Sequence, residues 1–259
     1  MIDRLFTNRL SVFVFVISAM LRCAASQAAD EIPKIYLPSG GDAKSVDNVP
    51  PEGFKALYNG RDLQGWQGIP GNPVELRALP KEELTELQTF VDEDMAVHWR
   101  SNFGVLEYDG KGKHIQTIDQ HGDYELIVEW KVTPGANSGI YPRGIPQIDI
   151  LEATSTQPAP FQGSGGLSNN KKHPAKPRAK ADNPTGEWNR FFIRIKGDRV
   201  TVRLNGELVT DQVVLENFWE PNKPIAAIGT IAIEAGKSKL YFKNIYLRAL
   251  NPPVEKKAE

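Results

Sequence analysis

Alternation with a period of two, cut into short runs by turn-forming pairs, constrains this chain more than any other feature. From Phe191 to Thr210, Phe191, Ile193 and Ile195 alternate with polar partners, and Gly197-Asp198 then interrupts the run. Val200, Val202 and Leu204 alternate again before Asn205-Gly206, and Glu207 to Thr210 follows. A strand turns successive side chains to opposite faces. Asn-Gly between two such runs favours a type I′ hairpin, because both central residues need positive φ. Similar runs end at Asn59-Gly60, Asp109-Gly110 and Pro134-Gly135. The last run, Lys239 to Leu250, changes parity: Leu240 and Phe242 share one face, whereas Ile245, Leu247 and Ala249 fall on the other. One extra residue near Lys243-Asn244 reconciles them, which predicts a β-bulge there.

One stretch breaks the pattern. Pro80 followed by Lys81, Glu82 and Glu83 has the proline and acids of a first helical turn. Leu84, Leu87, Phe90, Val91 and Met95 then recur at helical spacing. The spacing predicts an amphipathic helix over about 80–97, packed on a sheet. Many short strands with one inserted helix predict an all-β fold, an antiparallel jelly-roll β-sandwich.

The chain's 259 residues are 40% hydrophobic and 24% charged, enough for a self-sufficient core without metal or disulfide. A net charge of -1 supplies no field toward nucleic acid or an anionic membrane. The N-terminus has its own grammar: Arg4 and Arg9, an apolar run from Leu10 to Leu21, then small residues through Ala29. That order predicts a secretory signal peptide over 1–28. The apolar run falls short of the ~20 residues that span a bilayer, so no stable anchor is expected after cleavage; a retained anchor is the alternative. The expected product is exported, periplasmic or extracellular. Residues 29–52, rich in Gly, Pro, Asp and Ser, read as a linker or N-terminal arm, 53–250 as the folded domain and 251–259 as a tail. Cys23, the single cysteine, leaves with the signal. A thiol nucleophile, a Cys-ligated zinc and a disulfide framework are then excluded together.

The densest polar cluster runs from Asn137 through Tyr141 and Arg143 to Gln147, Asp149 and Glu152. Gln147 and Asp149, two apart, share a strand face. Glu152 joins them only if a bulge adds a residue near Ile150-Leu151; otherwise it is a solvated edge residue. The stretch resembles the catalytic strand of the laminarinase-like glycoside hydrolases, with one departure. Gln147 stands where their nucleophilic carboxylate would be, and an amide neither attacks an anomeric carbon nor acts as a base. The two-carboxylate retaining mechanism is thereby disfavoured.

Six blocks taken in order carry a wider resemblance: Gly53 to Trp66, Gly122 to Lys131, Asn137 to Tyr141, Gly186 to Asn189, Gly197 to Gly206 and Tyr241 to Arg248. Together they resemble the 3-keto-disaccharide hydrolase domain family over about Gly53 to Leu250. Ile233-Glu234-Ala235-Gly236 departs from it, where many relatives carry Gln-Asn-His-Gly or Asp-His-Gly. The resemblance implies a concanavalin-like sandwich and a small carbohydrate substrate whose C3 hydroxyl is already a ketone. Such a ketone acidifies the C2 hydrogen. A base can then form an enolate that expels the C1 substituent, and water adds back. That route needs a base, an enolate stabiliser and a proton donor.

On this reading Asp149 is the leading base or acid, with Glu129 or Glu152 as partner, and Arg143 stabilises the enolate. Gln147 and Asn137 bind sugar hydroxyls, and Tyr141 and Trp188 are candidate stacking platforms. His98, His114, His121 and His173 show no zinc-type i, i+4 pair; His173, on a long loop, is the best placed for proton transfer. No cofactor is predicted; sandwiches of this kind often hold calcium through loop carboxylates, which the sequence does not mark. The ordinary readings stay open: Asp149 and Glu152 as edge carboxylates paired with Arg143, Glu129 as a solvated strand position, Tyr141 and Trp188 as core aromatics. The functional alternative is a non-catalytic carbohydrate-binding module using the same face. The oligomeric state is not legible.

Overall fold

The computed structural model describes residues 47–144, 146–153 and 163–250. The expected signal peptide with Cys23, residues 29–46 of the expected linker, and the tail at 251–259 lie outside them. The described residues form the expected all-β fold, a concanavalin-like, jelly-roll sandwich of two antiparallel sheets. The strands are β1 (Lys55–Ala56), β2 (Trp66–Gly68), β3 (Trp99–Asn102), β4 (Val105–Tyr108), β5 (Ile115–Thr117), β6 (Tyr124–Val132) and β7 (Asn137–Tyr141). They continue with β8 (Ile148–Leu151), β9 (Asn189–Lys196), β10 (Arg199–Leu204), β11 (Glu207–Val214), β12 (Ala232–Ile233) and β13 (Leu240–Ala249). The larger sheet runs β11-β10-β9-β6-β13-β4-β3, with β1 also on β13; the smaller runs β2-β5-β12-β7-β8.

The alternation seen in the sequence becomes the core. Leu126, Val128 and Trp130 of β6, Phe191 and Ile193 of β9, and Val202 and Leu204 of β10 face Ile115, Ile140, Ile148, Ile150 and Ile233 of the smaller sheet. The predicted hairpin forms, with Asn205 at φ 51° and Gly206 at φ 90°. The predicted bulge forms as well: pairing of β13 with β6 shifts between Lys243 and Tyr246, with Asn244 at φ 52°. Leu240, Phe242, Ile245 and Leu247 therefore all reach the core. The bulge also anchors Asp47 and Asn48. Asn48 N–H donates to Asn244 Oδ1 (2.7 Å), and Asn244 Nδ2 donates to Asp47 Oδ1 (3.1 Å).

Among the described residues two α-helices leave the sheets: α1 (Pro73–Leu76) and α2 (Lys81–His98). The second is the expected one, but its apolar seam is narrower than its spacing suggests. Val91 and Met95 are buried, whereas Phe90 is 58% exposed. Polar bonds anchor the rest: Gly68 N–H donates to Asp92 Oδ1 (2.8 Å), and Gln88 Nε2 donates to Gly68 O (3.0 Å). A side chain at Gly68 would sit 2.4 Å from Val91 O, so the glycine sets how closely α2 approaches β2.

Candidate active site

Because Ile115, Ile140, Ile148, Ile150 and Ile233 fill the core, their strand neighbours point out of the smaller sheet. The registers arrange these outward residues in rows across the strands. Ile233 pairs with Ile115 and with Ile140, so the next residue, Glu234, stands beside His114 on one side and Gly139 on the other. Glu234 N–H donates to Gly139 O (2.9 Å). Gly139 pairs in turn with Asp149. The row thus reads His114, Glu234, Gly139, Asp149, and two strand spacings, roughly 10 Å, separate the two acidic positions at the backbone. A parallel row carries Gln116, Ala232 and Tyr141, with Gln147 beside Tyr141 at the start of β8.

The two rows are stitched by Gln147. Its Nε2 donates to Glu234 Oε2 (2.6 Å) and Ser138 O (3.1 Å), and its Oε1 accepts from the Tyr141 hydroxyl (3.3 Å). The amide crosses β7 over Gly139, where an added Cβ would lie 2.4 Å from Gln147 Cγ. Only glycine leaves that path open. Asp149 is 2% exposed and is held by Ser168, whose hydroxyl donates to Oδ1 (2.7 Å) and whose N–H donates to Oδ2 (3.2 Å). The loop carrying Ser168 extends the smaller sheet: Asp149 N–H donates to Gly166 O (2.9 Å) and Gly165 N–H to Asp149 O (2.8 Å).

Burial dominates the electrostatics. It pushes the Asp149 carboxyl up to about 7 against the opposing pull of the Ser168 bonds. Burial also raises Glu234 to about 7; the Asp149 charge raises it further, and the Gln147 amide holds it down only partly. Near neutral pH each carboxyl can therefore hold or release a proton, and the Asp149 charge makes Glu234 the more reluctant to ionise. Burial, then both carboxylates, raise the Tyr141 hydroxyl, which stays protonated. His114 accepts the Ala235 N–H on Nδ1 (2.9 Å), and its ring lies 6.2 Å from that of Tyr141. Desolvation and then the Lys113 charge lower its pKa, keeping the imidazole neutral.

Of the residues expected from the sequence, Asp149, Gln147, Tyr141 and Asn137 do lie on this face, with Asn137 exposed at its end. Gln147 is largely engaged within the protein: both amide hydrogens and the carbonyl oxygen have partners there, and the amide holds one oxygen of Glu234. The other five are elsewhere. Glu129 lies on the outer face of the larger sheet, where it accepts from Asn244 Nδ2 (3.0 Å) and braces the bulge. Strand β8 pairs without a bulge, so Glu152 turns away and its Oε2 accepts the Gly135 N–H (2.7 Å). Arg143, expected at the enolate, is 5% exposed and donates to Gly122 O, Gly197 O, Ala226 O and Asp123 Oδ1. Its guanidinium is spent on holding turns together. Trp188 lies under Lys131 and Lys243, 5.0 and 4.7 Å from its ring centroid, again on the larger sheet. His173 is tied to Glu216, which accepts its Nδ1–H (3.0 Å) and its backbone N–H (2.7 Å).

Glu234 and His114 were missed by the sequence reading. Glu234 sits more than 80 residues along the chain from Gln147, and only the register joins them. Among the described residues no group of three or more His, Cys, Asp and Glu side chains is placed to hold a metal ion.

Residues 53–248 match the model of the 3-keto-alpha-glucoside-1,2-lyase-like domain. The chain belongs to this family. A curated relative, the 3-keto-disaccharide hydrolase of Bacteroides thetaiotaomicron, is 22% identical over 275 residues, covering 87% of this chain and 89% of its own. Two crystal structures from Parabacteroides distasonis, both of proteins provisionally assigned as glycosyl hydrolases, share the fold. One superposes with a TM-score of 0.59 at 22% identity, covering 80% of this chain and 100% of its own. The other has a TM-score of 0.57 at 19% identity, covering 85% and 98%. The family match spans both sheets, and every residue of the two rows lies inside it.

Proposed function

We propose that this chain cleaves the glycosidic bond of 3-keto-glycosides, small disaccharides among them, by proton abstraction at C2, β-elimination and hydration. The carrying observation is the Asp149–Glu234 pair: two outward carboxylates on one row, both pushed up to about 7, with Glu234 feeling the Asp149 charge. A base poised near the working pH combines ionisation with proton-transfer strength. It suits a carbon acid already activated by a neighbouring ketone.

The two carboxylates divide the work. Asp149 is sealed, with both oxygens held by Ser168. Glu234 is only partly buried, and Gln147 occupies one oxygen, leaving the other for substrate. Glu234 takes the C2 proton, and the electron pair moves into the C2–C3 bond and onto the C3 oxygen. Its return forms the C1–C2 double bond and breaks the bond from C1 to the leaving oxygen. That oxygen takes up the proton now on Glu234. Water then adds across the double bond, its hydroxyl at C1 and its proton at C2, giving the free 3-keto sugar. Asp149 keeps Glu234 a stronger base than an isolated carboxylate. This route asks nothing of Gln147 as a nucleophile. The name of the Bacteroides relative supports the keto substrate, and the residues at 1–28 support an exported enzyme.

The test is turnover. Purified protein incubated with 3-keto-trehalose should release free glucose, while trehalose itself should be left intact. Glu234→Gln should abolish release. Equal release by Glu234→Gln and the natural protein would remove the carboxylate from the chemistry, and binding without release would favour a carbohydrate-binding module.

A further inference from the structure

The elimination leaves one requirement unmet, a donor for the charge that builds on the C3 oxygen, now that Arg143 is occupied elsewhere. We propose that His114, as a neutral imidazole, donates its Nε2–H to that oxygen. This role rests on the elimination reading and extends it to a residue with no assigned function.

Three observations carry it. First, the tautomer is fixed by the backbone. Nδ1 of His114 accepts the Ala235 N–H at 2.9 Å, so the ring proton belongs on Nε2. Second, the ring is placed by register. His114 neighbours Glu234 in the outward row and packs 6.2 Å from Tyr141, whose hydroxyl is linked through Gln147 to the same Glu234 carboxylate. A base and a donor on adjacent strands, roughly 5 Å apart at the backbone, can address C2 and the C3 oxygen of one sugar. Third, the donor is free. Among the described residues Nε2 has no hydrogen-bond partner, and it is not one of the sealed, unpaired polar atoms.

Neutrality matters as much as direction. Among the described residues, register, ring contact and charge place Glu234, Tyr141 and Lys113 beside the ring. Burial and Lys113 disfavour imidazolium. A neutral donor is a weaker acid than imidazolium, so it stabilises the enolate oxygen by hydrogen bonding and keeps its proton. No proton crosses at this position, and the balance of the elimination is unchanged.

Two substitutions separate the roles of the two ring nitrogens. His114→Asn keeps an acceptor near Nδ1 for the Ala235 N–H and removes the distal donor. His114→Gln places an amide N–H near the position of Nε2. Losing one preorganised donor to a developing oxyanion costs about 10²–10³-fold in kcat. His114→Asn should show that loss on 3-keto-trehalose with KM little changed, and His114→Gln should recover part of it. In ¹⁵N-labelled natural protein the His114 ring should read as the neutral Nε2–H tautomer, and added 3-keto-glucose should move the Nε2 signal. Undiminished kcat in His114→Asn overturns the proposal, as does an Nδ1–H or imidazolium ring. Should the variants fail to fold, the NMR result decides. No turnover by the natural protein would instead overturn the elimination reading itself.

Discussion

Replacing Asp149 with asparagine should make the protein more stable at alkaline pH, and the size follows from the site. The folded state holds this carboxyl at about 7, against 3.8 when unperturbed. Between those values the folded chain retains a proton that the unfolded chain releases, so the natural protein loses stability as pH rises through this window. At ~1.4 kcal/mol per tenfold change in ionisation, the penalty approaches ~4 kcal/mol above pH 7 and is under ~2 kcal/mol at pH 5. The neutral amide of the variant would carry no such penalty. It would, however, have to aim its carbonyl at the Ser168 N–H and its NH2 at the Ser168 hydroxyl, which must then accept where it now donates; exchanging these bonds costs about 1–2 kcal/mol. The net expectation is near equality at pH 5 and a gain of ~2–3 kcal/mol at pH 8. Relief of Glu234, whose own carboxyl is raised partly by Asp149, adds in the same direction. Urea unfolding of both proteins at the two pH values measures this. A stability difference that does not change with pH would refute the burial argument. The stabilised variant should also be the less active one, since the strained pair is what the site uses.

Other substitutions probe the supporting geometry. Gly139→Ala puts a Cβ 2.4 Å from Gln147 Cγ; it should cost about 1–3 kcal/mol in thermal stability and lower kcat by freeing Glu234. Arg143→Ala should destabilise by about 3–5 kcal/mol, because it strands the partly buried Asp123. The surviving folded fraction should nonetheless keep the natural kcat. His173→Ala should leave the activity profile intact, and a drop in kcat would restore the proton-transfer role that the Glu216 contact argues against. N-terminal sequencing of exported protein should begin at Ala29; an intact Met1 in that fraction would contradict cleavage.

The fold was legible where local chemistry decides it. The Asn205-Gly206 hairpin, the parity switch at Lys243-Asn244 and the proline-led start of α2 each have a short-range cause, and each forms. The site was legible only along two strands that are neighbours in the chain, β7 with Asn137 and Tyr141 and the start of β8. Gln147 and Asp149 are two apart, so their shared face could be read directly. Glu234 and His114 reach that face through strand registers linking segments far apart in the chain, which periodicity does not encode. The same blindness put Glu129 in the cluster: its alternation shows that it points out of a sheet, not out of which sheet. Arg143 was misread for a different reason. Its left-handed backbone, φ 53°, turns the guanidinium into a ring of carbonyl oxygens, and no spacing rule announces a charged side chain buried as a brace. The stretch from Ile233 to Gly236, where the sequence departs from the family pattern, contains the carboxylate on which the proposed chemistry rests.

The most direct test of the central claim is the fate of the C2 hydrogen. With 3-keto-trehalose deuterated at C2 of the oxidised ring, single-turnover cleavage should slow markedly relative to the protiated sugar, and the deuterium should be lost to solvent from the released 3-keto-glucose. Cleavage at an unchanged rate with the C2 deuterium retained would contradict proton abstraction and return the chain to direct hydrolysis at C1.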